Sequence, residues 1–301
     1  MGIKGIHKLI DGSSITELSF NKSIEDETEF FTKLIIIFSL AGISGFDVTL
    51  GPSSLRLAKG GLKKAEEQSK ELNLDKFKKP YLKASIGLFN GDEEDIFLLS
   101  DKPSKKFSKH FFLKNLEESI DIGLKIVEVH PGNLDEDILQ EIFESILNFN
   151  KEILVSLNVN RLSRSNAHLV NRIKSLFDLF GEKLILQIDG ATNIKEEDTY
   201  HNTIQTIATA DIIIKDLKMK EKRKYKKLPL LLSGDINRKT AALAKLCEIS
   251  YNGISLGDHK SNHYLKFIDE RLGANITYKG LKADLELVHS LKRELEHYKK
   301  L

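Results

Sequence analysis

The chain has 301 residues, 41% of them hydrophobic and 30% charged, enough apolar material for one large core or two medium ones. Its 46 basic and 44 acidic side chains leave a formal charge of +2, which excludes the strong positive field of a nucleic-acid or anionic-membrane binder. One cysteine, Cys247, excludes an internal disulfide framework and a cysteine-ligated cluster or structural zinc, so the chain is expected in the cytoplasm.

In chain order, the opening MGIKGIHKLI lacks the apolar core and cleavage site of a secretory signal. Short apolar runs then alternate with longer segments in which apolar residues recur at three and four. The candidate strands are His7–Ile10, Phe46–Leu50, Leu82–Leu88, Ile126–His130, Ile153–Asn158, Leu184–Ile188, Leu228–Leu232 and Gly253–Leu256. Between them, Glu25–Leu40, Leu55–Leu72, Asp135–Phe149 and Asn166–Phe180 have helical period, with Asp135 a candidate N-cap and Gly181 a candidate left-handed terminator. The longest apolar run, Leu34–Ala41 with Ser39 inside it, is far short of the ~20 residues that cross a bilayer.

Eight βα units in a chain of this length predict an α/β fold, a single (β/α)8 barrel of the TIM type spanning residues 1–301. An open doubly wound sheet is the alternative, because periodicity does not report closure. Two stretches break the repeat. Residues 89–114 are too long and polar for an ordinary connection and predict an insertion over the strand-end face. The Lys-rich 215–227 follows Ile212–Ile214, which fits either an extra strand or a helix end.

A barrel builds its site from the C-terminal ends of its strands, so polar residues inside the apolar runs are the candidates. Glu128 and His130 are two apart and share one face of a strand, with Val127 and Val129 turned to the helices. An imidazole beside a carboxylate suits acid–base catalysis, and equally a structural hydrogen bond. Lys8 and Lys83 are candidate carbonyl-polarising or Schiff-base groups, or ion-pair partners of Asp47 or Asp189 across the barrel. Asp47, Asn158, Gln187, Asp189, Gly234, Asn237 and Gly257 are candidate ligand contacts. The turns SGDIN and SLGD sit where phosphate sites form, but each follows its glycine with a carboxylate that would repel an anion. P-loop, GxGxxG, HExxH and GxSxG motifs are absent; His259 and His263 lack the acidic spacing of a metal site, and no metal or cofactor is expected.

The segments KLIDGSS (8–14), AGISGFDVTLGPSSLRLA (41–58), IVEVHPGNLD (126–135), LQIDGATN (186–193), LSGDIN (232–237) and GISLGDH (253–259) resemble, in this order, the barrel region of the cyanobacterial light-dependent period modulator family. They are more distantly similar to an uncharacterised barrel family of plastids and cyanobacteria. The resemblance implies a barrel associated with redox input to the circadian clock. It favours Lys8, Asp47, Glu128, His130, Gln187, Asp189, Gly234, Asn237 and Gly257 as pocket residues without assigning roles. That family carries an iron–sulfur module after a motif matched here by SIGLFNGDEED (85–95), and the stretch that follows it here, FLLSDKPSKKFSKHFF, holds no cysteine. The expected function is therefore a regulatory barrel that binds a small ligand or a protein partner. The alternative is a lyase or isomerase acting on a small carbonyl or phosphorylated metabolite, with Glu128 and His130 as acid and base and Lys8 or Lys83 polarising the carbonyl.

Overall fold

A computed structural model describes residues 1–12, 14–20, 28–74, 77–86, 109–131, 136–149, 152–160, 166–189, 199–220, 228–233, 238–249, 251–258 and 285–300. Eight parallel strands close into a barrel in sequence order. They are β1 (Ile15–Phe20), β2 (Gly45–Thr49), β3 (Tyr81–Ile86), β4 (Leu124–Val129), β5 (Leu154–Asn160), β6 (Leu184–Asp189), β7 (Leu230–Ser233) and β8 (Gly253–Asp258). The ring shuts where β1 pairs with β8, Ile15 opposite Gly253 and Phe20 opposite Asp258. The closed barrel is the expected fold, and the open sheet is excluded.

The helices are α1 (Ile3–Asp11), α2 (Thr28–Ala41), α3 (Pro52–Glu71), α4 (Lys109–Ile122), α5 (Glu136–Asn148), α6 (Asn166–Phe180), α7 (Thr199–Lys220), α8 (Arg238–Leu246) and α9 (Leu285–Lys300). The expected strand His7–Ile10 is instead part of α1, because Ile3, Ile6 and Ile10 recur at helical spacing and leave one apolar stripe. Ile6 and Ile10 of that stripe cap the N-terminal end of the barrel, packed with Ile15, Tyr81, Ile126, Leu154, Ile185 and Leu231. Asn252 ties the cap down: its Nδ2 donates to the Ile10 carbonyl at 3.0 Å and its Oδ1 accepts the Leu230 N–H at 2.9 Å.

Two further expectations change. Residues 109–114 of the expected insertion are the first turns of α4, and 89–108 lie outside the described residues. Ile212–Ile214 and Lys215–Lys220 belong to the long helix α7, so no extra strand forms there; 221–227 lie outside the described residues. Gly181 takes the left-handed conformation expected of it, at φ 57°, and Asp135 lies outside the described residues.

The main core fills the layer between barrel and helices, with Leu18, Phe46, Val48, Val127, Val129 and Ile188 facing Phe38, Phe112, Ile142 and Ile173. Helix α2 is buried along nearly its whole length because α3 and α9 both cover it, with Ile36 and Leu40 against Ala65 and Val288. Outward positions on the strands are thus mostly apolar, Thr16 beside Ser44 being an exception, and the barrel axis receives the alternate residues.

Register decides which residues those are. Between β3 and β4 the pairing slips: Leu82 lies opposite Leu124, and Lys83 opposite Ile126. This bulge gives β4 one extra residue, Lys125, and resets the alternation beyond it. Ile126, Glu128 and His130 consequently turn inward while Val127 and Val129 join the outer core. Near the cap, space on the axis is kept by Gly45, where an added Cβ would lie 2.3 Å from the Tyr81 ring.

Candidate functional site

The barrel axis changes character along its length. At the N-terminal end it holds Ile15, Ile126, Leu154, Ile185 and Leu231; one layer further on it holds Glu17, Lys83, Glu128, Ser156 and Gln187, all buried. Above them stand Ser19, Asp47, His130, Asn158, Asp189, Ser233 and Ser255. No apolar side chain interrupts this polar upper half among those residues.

Lys83 is its centre. The Lys83 ammonium reaches Glu17 Oε2 at 3.0 Å, Asp47 Oδ2 at 3.4 Å and, more closely, Glu128 Oε2, and it donates to Gln187 Oε1. Glu17 also accepts the Tyr81 hydroxyl. Asp47 accepts Ser85 Oγ at 2.7 Å and Ser19 Oγ at 3.1 Å, and Ser19 in turn lies 2.8 Å from Ser255 Oγ.

The Glu128 carboxylate is the most heavily solvated by protein groups. Its Oε1 accepts Asn158 Nδ2 at 2.9 Å and Gln187 Nε2 at 2.9 Å and lies 3.0 Å from His130 Nε2; its Oε2 accepts Ser156 Oγ at 2.8 Å. Each donor comes from an inward position two residues from the next on its strand, or from the neighbouring strand, which is how parallel register converges side chains from β3 to β6. Asn158 is fully buried, yet among the described residues nothing donates to its Oδ1.

These contacts sort the charges. Burial works against the Lys83 ammonium, but Asp47, Glu128 and Glu17 together outweigh it and hold the lysine well above the ordinary lysine range. Burial likewise opposes ionisation of Glu128, and Lys83 and His130 overcome it, keeping that carboxyl far below the usual carboxylate range. Glu17 and Asp47 are pushed up, chiefly by burial and then by the other carboxylates, with Lys83 pulling the other way. One ammonium thus ionises one carboxylate fully and leaves two with raised proton affinity.

Of the sequence candidates, Lys83, Asp47, Glu128, His130, Asn158 and Gln187 meet in this network, and Asp189 stands on the same inner wall. Gly257 is on β8 opposite Ser19 at the upper end. Lys8 does not belong to the site: it is exposed on the cap helix α1, at the opposite end of the barrel. Gly234, Asn237, His259 and His263 lie outside the described residues. The network also includes Glu17, Tyr81, Ser85 and Ser156, which are not among the sequence candidates. The alternation Thr16, Leu18, Phe20 against Glu17, Ser19 in ITELSF was the available signal for the first of them.

Chemically, the arrangement can hold an imidazole against an ionised carboxylate at the mouth of a barrel and can accept further hydrogen bonds. It does not offer a neutral lysine. Among the described residues no group of three His, Cys, Asp or Glu side chains is placed to hold a metal ion, and no helix is long and apolar enough to cross a membrane.

No protein-family model matches the chain, and no curated protein matches it. Among solved structures it is similar to the carboxyl transferase domain of Rhizobium etli pyruvate carboxylase, with TM-score 0.53 and 11% identity, covering 97% of this chain and 49% of that one. It is similar to 2,3-dimethylmalate lyase, a PEP mutase/isocitrate lyase superfamily member, with TM-score 0.50 and 12% identity, covering 96% and 93%. It also aligns with QR15, an aldolase, with TM-score 0.48 and 13% identity, covering 87% and 98%. At such identities the likeness to the carboxyl transferase domain and the lyase is one of fold alone, and it agrees with the closed barrel described above: the chain is a (β/α)8 barrel of the TIM type.

Proposed function

We propose that the chain is an enzyme of the lyase or isomerase type that moves a proton next to the carbonyl of a small metabolite. The fold hosts very many activities, so the reading rests on the site. The observation that carries it is the pair at the end of β4: Glu128, held ionised by Lys83 and three uncharged donors, stands 3.0 Å from His130 Nε2.

In this reading His130 is the acid–base group. Glu128 holds Nε2 and orients the ring, and Nδ1 is the atom through which the proton passes. The imidazole takes a proton from the carbon beside the carbonyl, the electron pair moves into an enolate, and the imidazolium returns the proton. On an α-hydroxy carbonyl, return to the former carbonyl carbon, with the hydroxyl proton passing to the former carbonyl oxygen, gives isomerisation; where the enolate pair instead closes a double bond, a β-substituent departs with the electrons of its own bond and takes the proton from the imidazolium, which gives elimination. Lys83 serves as the counter-ion that keeps Glu128 charged rather than as a nucleophile, since its ammonium is buried among three carboxylates.

The test is deuterium exchange. Wild type and His130→Gln are incubated in heavy water with a panel of small ketones and keto acids, and label beside the carbonyl is followed by proton NMR. Wild type is expected to label at least one compound, and the variant to lose about 100-fold or more of that rate. Exchange that persists in the variant removes His130 from the mechanism. No exchange across the panel favours the second reading, a regulatory barrel that binds a ligand or protein, as the resemblance to the clock-input family implies. The complete engagement of Lys83 is the observation on its side.

A further inference from the structure

Three carboxylates, Glu17, Asp47 and Glu128, contact one another's territory through a single ammonium, Lys83. With all four ionised the cluster carries two uncompensated negative charges in the axis of the barrel. Buried charge of one sign is costly unless met by a counter-charge or a proton. The hydroxyl and amide donors around it are already committed: Tyr81 to Glu17, Ser19 and Ser85 to Asp47, Ser156, Asn158 and Gln187 to Glu128. Among the described residues, what remains at the site is an acceptor, the buried Asn158 Oδ1, to which none of them donates. A fully buried amide oxygen normally has a partner, and its absence marks the place where a ligand donor belongs.

We infer that the site binds a substrate carrying a protonated amine beside its carbonyl, with the ammonium received by Asn158 Oδ1 and the Asp47 carboxylate. The inference rests on the proton-transfer reading only for the carbonyl; the amine preference stands on the charge and the unpartnered oxygen. Asp47 is the receiving carboxylate because it is the member of the trio that retains some exposure, 4% against 0% for Glu17 and Glu128. Lys83 already displays what this cage does with an ammonium, surrounding it with carboxylate and amide oxygens. A metal ion is the poorer occupant, since the point on which the three carboxylates converge is filled by the Lys83 ammonium, and among the described residues no group of three His, Cys, Asp or Glu side chains is placed to hold a metal. An anion would add to the excess negative charge.

Isothermal titration of the full chain with three stable carbonyl probes decides the matter. Glycinamide is cationic, glycolamide neutral and phosphonoacetamide anionic, while the amide carbonyl is common to all. Glycinamide is expected to bind about tenfold tighter than glycolamide, with phosphonoacetamide the weakest. In Asp47→Asn and Asn158→Leu the preference for glycinamide over glycolamide should fall toward unity. Should either variant not fold, the wild-type order decides by itself. Equal or tighter binding of glycolamide, a preference for phosphonoacetamide, no binding of any probe, or a preference unchanged in both folded variants overturns the inference. Deuterium exchange reads the other claim: amine-selective binding without exchange sinks proton transfer alone, and exchange without amine selectivity sinks the amine alone.

Discussion

Lys83→Met keeps the aliphatic stem and deletes the ammonium that Glu17, Asp47 and Glu128 share. Removing one partner of a buried ion pair costs ~3–5 kcal/mol, because it strands charge in a poorly solvated place. Protonation relieves part of that cost, so the loss must depend on pH. In the wild type Lys83 and His130 hold the Glu128 carboxyl below the ordinary carboxylate range despite its burial; the stability this brings is fully present above the unfolded value and is lost as pH falls toward the folded one. Glu17 and Asp47 have their proton affinity raised, so each subtracts stability as pH climbs from its unfolded value to its folded one. In the variant all three lose the pull of Lys83, and burial turns Glu128 to the raised side as well. Each carboxyl then costs about 1.4 kcal/mol per pH unit across its own window. Urea unfolding of both proteins between about pH 5 and about pH 8 should therefore show a gap that widens with pH and reaches ~3–5 kcal/mol at the upper end. A gap that stays constant, or one below about 1 kcal/mol throughout, refutes the counter-ion role.

Three other substitutions follow from the same geometry. Lys8→Ala, on the exposed side of the cap helix, should change stability by no more than about 0.5 kcal/mol and leave probe binding intact; loss of binding would contradict its placement away from the site. Gly45→Ala puts a methyl group 2.3 Å from the Tyr81 ring, and urea unfolding should register ~1–3 kcal/mol of overpacking. Asn252→Ala removes two hydrogen bonds, one of them to the cap, and should cost ~1–3 kcal/mol and speed hydrogen exchange in α1 before the strands; uniform protection would show that the cap does not depend on it.

Strands β2 to β8 are legible because parallel strands covered on both faces are nearly continuous apolar runs, as in LILQI and LPLLLS. β1 is not, because ITELSF puts Thr, Glu and Ser among its six residues and hides as a polar turn. The neighbouring HKLI imitates a strand, and only the longer spacing of Ile3, Ile6 and Ile10 gives its helix away. Misplacing that one element moves Lys8 into the site and leaves Glu17 out of it. Glu128 and His130 are visible as a pair because two-residue spacing is a local property. Their partners are set by register across strands, including the β3–β4 bulge, and a bulge leaves no mark in composition. Lys83 shows as a charge in an apolar run, whereas its three counter-charges come from strands 36 to 66 residues away, fixed only by closure of the barrel.

The polar axis is itself an argument for function. The same barrel fills the N-terminal part of its axis with Ile, Leu and Tyr, so the chain can build an apolar plug where it needs one. Well-packed hydrophobic residues in place of a buried ion cluster are often neutral or stabilising, by ~1–4 kcal/mol. Stability therefore does not call for Glu17, Asp47, Lys83 and Glu128 together in the upper half. Their arrangement has a direction: the lysine at the centre ionises Glu128, and Glu128 faces the imidazole of His130 at the end of β4. A network laid down only to close the barrel has no need to end on a titratable ring at the face where barrels of this type carry out their chemistry. The end-on placement suits the proposed proton transfer, in which charge is stored below and His130 exchanges the proton above.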